Sequence, residues 1–160
     1  MTELTLQAAQ TILSKALAQG RSLNLKPLVV VVLDAHGSLK AFAAEDGTSL
    51  KRGDIAIAKA SGAMALGVGS RSLEKIAKER PHFIAAASHV VGGGGLVPVA
   101  GGVLIMDKGA LIGAVGVSGD TSDNDELAAM AGIEAAGFKG DGGSNSDHKI
   151  HAPRGACREA

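Results

Sequence analysis

The chain has 160 residues, enough to bury one sizeable core, and reads as a single domain. Lys plus Arg balance Asp plus Glu at 16 each, with no Trp or Tyr and only Phe42, Phe83 and Phe138, so neither a basic nucleic-acid surface nor a stacking platform for single strands is expected, nor attraction to an anionic membrane. The single cysteine, Cys157, excludes a disulfide framework and a cysteine metal site, and no apolar run approaches the ~20 residues of a membrane span.

Residues 6–20 carry Leu6, Ala9, Leu13, Ala16 and Leu17 at helical spacing, with Thr5 as the cap and Gly20 as the stop. The β-branched run 28–33 is a buried strand, Asp34-Ala35-His36-Gly37 a turn, and 38–44 the returning strand; 45–50 form a polar connection. A second helix, about 51–66, is rich in alanine and glycine, which predicts tight packing against another backbone. A third helix covers about 71–79, and a fourth starts at Pro81 and ends near His89. Val90 to Pro98 is a loop with four consecutive glycines, Gly92 to Gly95.

Residues 98–119 hold two apolar runs around an Asp107-Lys108-Gly109 turn, which predicts a hairpin. Gly113 and Gly116 mark a bulge or the close approach of a backbone or a ligand. The strand ends at Ser118-Gly119-Asp120, where a helix over 122–137 begins; Ser122 with Asp125 reads as its capping box. Backbone N–H groups at such a junction suit an anion. From Gly137 the composition turns to Gly, Ser, Asn, Asp and basic residues. The expected division is a domain over 1–140 and a flexible tail over 141–160. Both clear strand pairs are hairpins, so the class is α+β, with a mainly antiparallel sheet and helices on its faces. With polar Thr2-Glu3 after Met1 and one cysteine, a cytoplasmic location is expected.

Several residues can carry chemistry. Arg52, Ile55, Lys59 and Ala63 form one stripe of the second helix, on which two cations can hold a carboxylate or phosphate. The alternative is that both reach water or pair with Asp54 or Glu45. Gly93, Gly94 and Gly95 can line a nest or a lid. His82 and His89 lie two helical turns apart, roughly 10 Å; each can act as an acid–base group or an axial haem ligand, with His89 favoured because it abuts the glycine loop. His148 and His151 have chelating spacing but sit in the polar tail, so no metal site is expected. Ser118 lies in Gly116-Val117-Ser118-Gly119, which is not a nucleophile elbow.

Asp34-Ala-x-Gly after a valine-rich strand, Asp54-Ile-Ala-Ile-Ala-Lys59-Ala, Gly101-Gly102-Val-x-Ile, Gly113-Ala-Val-Gly-Val-Ser-Gly119 and the trailing Asp125-Glu126 and Ala131-Gly132-Ile133 resemble the GlcG/HbpS-like family. That family holds haem-binding and glycolate-utilisation proteins and the C-terminal domain of PduO-type cobalamin adenosyltransferases. The resemblance covers about residues 4–137. It implies a three-layer arrangement of about five antiparallel strands between helices, a homo-oligomer, and a small-molecule ligand such as haem. Without a Cys-x-x-Cys-His motif that haem is non-covalent. The pocket so implied is lined by the second helix, the glycine loop and the last hairpin, through Arg52, Lys59, His82, His89, Gly93, Gly94, Gly95, Gly102 and Ser118. A second reading is a cofactor-independent enzyme of small organic acids, in which Arg52 and Lys59 hold the substrate carboxylate and His89 or Asp125 moves a proton. A third is an oligomeric accessory module.

Overall fold

A computed structural model describes residues 2–143. Thr5 caps α1 (Leu6–Ser22) as expected, its hydroxyl accepting from the Ala8 N–H at 3.1 Å. The helix runs past the expected stop. Gly20 is buried inside it, where a Cβ would lie 2.6 Å from Leu28 Cδ1, so its glycine serves packing and not termination. β1 (Val29–Asp34) and β2 (Leu39–Ala44) form the first hairpin, and Asp34 Oδ1 accepts from the N–H groups of His36 and Ser38 at 2.9 and 3.0 Å.

Three helices follow: α2 (Arg52–Leu66), closed by Gly67 at φ 71°, then α3 (Ser70–Glu79) and α4 (Pro81–Val91) with proline in its first turn. β3 (Gly102–Asp107) and β4 (Ala110–Ser118) are joined by Lys108 and Gly109, both at positive φ, which matches the right-handed twist of a tight hairpin. α5 (Ser122–Ala135) and β5 (Lys139–Asp141) complete the described chain. The polar stretch after Gly137 begins with a strand, because Lys139–Asp141 pair with Leu104–Met106. His148, His151 and Cys157 lie outside the described residues.

The sheet order is β2-β1-β4-β3-β5 with every neighbour antiparallel, which establishes the α+β class. Alternation along the strands feeds two cores. Val30, Val32, Val103, Ile105, Val115 and Val117 pack with Ile12 of α1 and Ile133 of α5. On the other face Val29, Val31, Leu33, Leu104 and Ala114 pack with Ala56, Ala60 and Ala63 of α2.

Small residues on α2 let it lie directly on the sheet. Gly102 and Gly116 are cross-strand partners. A Cβ at Gly116 would fall 1.9 Å from the Ala56 carbonyl oxygen, and one at Gly102 would fall 2.2 Å from that of Lys59. The gap expected at Gly116 is thus filled by a helix backbone. Near Gly113 the β3–β4 register shifts between Ile105 and Met106, a bulge.

α5 starts differently from expectation. Thr121 is its N-cap, accepting from Asn124 N–H at 3.3 Å, while Asp125 turns inward. Thr121→Ala is expected to lose about 1 kcal/mol in urea denaturation. Ser122→Ala should change stability by less than about 0.5 kcal/mol.

Candidate functional site

Arg52 and Lys59 do share one side of α2, and both reach the end of β4. Lys59 Nζ donates to the Val117 carbonyl at 2.9 Å and to Asp125 Oδ2 at 3.0 Å. Lys59 is 2 % and Asp125 1 % exposed. Asp125 Oδ1 accepts from the Asp120 N–H at 2.9 Å, which ties the β4–α5 junction to the pair. Burial lowers the Lys59 pKa and raises that of Asp125, and in each case the partner's charge opposes the effect. Gly101, at φ 120°, lies so close to the ammonium that a Cβ there would meet Nζ at 2.8 Å.

This geometry revises two expectations. Lys59 is not open to a ligand carboxylate, because the chain's own Asp125 occupies it. Asp125 cannot shuttle protons for a bound molecule from a sealed ion pair. Both residues hold α2 to the β4–α5 junction.

Arg52 stands at the half-buried start of α2. One of its N–H groups donates to Ser118 Oγ at 3.3 Å. Ser118 itself is fully buried. The guanidinium borders a notch of about 190 Å³ together with Lys26, Thr48, Ser49 and Gly119. Beside it Asp120 accepts from the N–H of Lys26 and from Asn124 and Thr121, and these hydrogen bonds, led by that from Asn124, hold its pKa down at about 2. It is a fixed negative charge at neutral pH.

The glycine loop does not face a cavity shared with Lys59. It lies along α2 as a strap: Ser61 Oγ donates to the Gly95 carbonyl at 2.7 Å, and the Val97 N–H donates to the Ala58 carbonyl at 3.4 Å. Gly94 packs on Ser61, where a Cβ would approach to 2.6 Å, and Gly95 needs its positive φ of 77°. Gly93 is exposed. Gly102 is buried beneath α2 and is hydrogen-bonded to Ser70, its N–H donating to Oγ at 2.6 Å. The expected single pocket of second helix, glycine loop and last hairpin is replaced by packed interfaces, because small side chains there let backbone meet backbone.

His82 and His89 are both exposed on α4 and have no hydrogen-bond partner among the described residues. Between α4 and the end of α2 runs an apolar groove of about 390 Å³, lined by Ala65 and Leu66 and, on α4, by Phe83, Ala86, Ala87, Val90 and Val91. Val90 is 86 % exposed. The Arg80 guanidinium lies 4.4 Å from the Phe83 ring centre at the end of this groove. Sequence reasoning missed the groove, although positions 83, 86, 87, 90 and 91 repeat at helical spacing; that stripe reads equally well as core. A larger cavity of about 430 Å³ lies between the β3–β4 turn, β5 and α5, but four charged side chains line it, Lys108, Glu126, Lys139 and Asp141. Glu126 there is already bound by Arg71.

The family model described as "Haem degrading protein HbpS-like" matches residues 4–134. No curated protein matches the chain. Among solved structures, the haem complex of PduOC is 25% identical with a TM-score of 0.76, over 86% of this chain and 97% of that one. HbpS is 27% identical with a TM-score of 0.72, over 84% and 90%. The ORFY protein of Klebsiella pneumoniae, 23% identical with a TM-score of 0.76 over 86% and 93%, shares the fold. No described helix is long and apolar enough to cross a membrane.

Proposed function

Because the chain belongs to the HbpS-like family, we propose that it binds haem, or a flat apolar ligand of that kind, non-covalently in the groove between α2 and α4. One observation carries this reading: all seven residues lining the groove are apolar, three of them alanines, and the same helix carries two unpartnered imidazoles. Its volume lies within the range of about 300–1,000 Å³ common to small-molecule sites. A related chain of the same fold is described as a haem complex.

The lining of the groove fits the apolar ring of such a group. Phe83, Val90 and Leu66 offer apolar contact, and Ala86 and Ala87 leave room for a planar ring against the helix. Arg80 supplies a cation near the rim for the ligand's carboxylates. His89, with His82 as the alternative, stands on α4 outside the seven residues that line the groove, and would hold the iron where the ring extends past that lining, since a neutral imidazole nitrogen is a common iron ligand. Bound haem would supply a redox-active iron; the chain's part is to seat the ring and to cover one of its faces.

Titration with haem, followed at the Soret band, tests the reading. Wild-type protein should show a saturable shift. Ala86→Glu, a change at an exposed position, should weaken binding at least about tenfold while leaving thermal unfolding unaltered. His89→Ala should move the Soret maximum of the bound form. Absence of a shift in the wild type, or an identical titration in Ala86→Glu, rejects the groove.

A further inference from the structure

Of the four arginines among the described residues, Arg80 lies over the Phe83 ring, and the other three have different fates. Arg21 is paired with Glu45, and Arg71 with Asp123 and Glu126. Arg52, half-buried at the start of α2, has no carboxylate partner among the described residues and gives one N–H to the Ser118 hydroxyl. Arg52 also borders the notch of about 190 Å³. Lys26 adds a second cation to the wall, and the Ser49 hydroxyl there has no partner among the described residues. Thr48 contributes to the wall too, but its hydroxyl already donates to the Glu45 carbonyl.

Of the nearby acids, Glu45 and Asp54 are paired with other cations, and Asp120 keeps its charge beside Lys26. Glu45 is held by Arg21 and by the Leu28 N–H, and Asp54 pairs with Lys51. Asp120 faces Lys26 and the α5 start, with its oxygens taken by Lys26 N–H, Thr121 N–H and Asn124. What remains is an open notch bordered by Arg52, Lys26 and Ser49. A fork of parallel N–H groups matches the two oxygens of a carboxylate. At about 30 Å³ of liquid volume per water, the space equals about six waters, which suits a small organic acid.

We propose that the Arg52 notch is a second binding site, for a small aliphatic carboxylate, independent of the α2–α4 groove. The carboxylate sits on Arg52, and a second oxygen of the ligand, from a hydroxyl or another carboxylate, is met by Ser49 or Lys26. Lys59, sealed against Asp125, takes no part.

The test uses malonate, acetate and inorganic phosphate as probes on the full-length, isotope-labelled protein at constant ionic strength, with chloride as the reference. Malonate should produce saturable shifts of amide resonances confined to residues 26, 47–52 and 119. Arg52→Lys keeps the charge but loses the fork, and should weaken malonate binding about tenfold, the scale of one lost charge-assisted hydrogen bond. Arg52→Gln should abolish it. Equal binding of malonate by wild type and Arg52→Lys overturns the site as a fork-directed one. Saturation by phosphate without malonate overturns the carboxylate class, and shifts spread over the surface or absent overturn the proposal entirely. Haem titration of Arg52→Lys should match the wild type, so failure of the groove and failure of the notch are read separately.

Discussion

Lys59→Met is expected to destabilise the protein by about 3–5 kcal/mol, the range for removing one partner of a buried ion pair. Methionine keeps most of the stem volume, so packing changes little. What is lost is the partner of Asp125, which stays 1 % exposed beneath α2 with a charge and no ammonium to meet it. The Val117 carbonyl loses the same donor. Asp125→Asn should also destabilise, because the lysine is then the unpaired charge. Combining the two changes should cost less than their sum, by about 0.5–3 kcal/mol, since the second substitution removes the charge that the first one orphaned. Urea denaturation of the four proteins measures that coupling directly. Strict additivity would show that the two groups do not stabilise one another.

Gly116→Ala is the second change with a large expected effect. Its new Cβ would sit 1.9 Å from the Ala56 carbonyl oxygen and 3.2 Å from Ala60 Cβ. Neither side gives way cheaply: β4 is hydrogen-bonded to β1 and β3, and α2 is anchored by Lys59. The helix must lift off the sheet, at a cost of about 3 kcal/mol or more, the upper end for overpacked cores. Gly93→Ala provides the contrast, because nothing lies within 4 Å of a Cβ there and its backbone is not left-handed. Its stability should change by about 0.5 kcal/mol at most. Thermal and urea unfolding of both variants check the pair; similar losses would mean that the contact with Ala56 is not what fixes glycine in β4.

Local signals were legible where a residue type has one strong structural use. Thr5 as a cap, Asp34 in its turn, Pro81 in the first turn of α4 and Lys108-Gly109 between strands each read correctly, and they set the element order and the class. Gly20 misled because glycine serves both as a stop and as a close-packing residue, and only Leu28, distant in sequence, decides between them. β5 was hidden because Lys139-Gly140-Asp141 has no β-branched residue; its strand state follows from pairing with β3 and from the tight fit of Gly140 against Met130 and Val103.

The candidate site was less legible. The cationic stripe of α2 was real, yet sequence could not show that Asp125, read as a helix cap, would turn and claim Lys59. Nor does anything near Arg52 in the chain point to Lys26, which comes from the segment before β1. The apolar stripe of α4 was visible as a pattern, but whether a stripe is covered is a question of tertiary packing, and here it is left open to solvent.

The order of strands also governs when the sheet can be assembled. β1 is flanked by β2, its immediate successor, and by β4, with Val29 opposite Ser118 and Asp34 opposite Gly113. The edge hairpin is therefore available early in synthesis, whereas the central pairing has to wait until three helices and β3 have been made. α1 waits longer, since its main partner is α5. Such high contact order slows the search for the native state. Through that interval Val29-Val30-Val31-Val32, an uncharged run of high strand propensity, has one neighbour where it needs two, and is open to self-association.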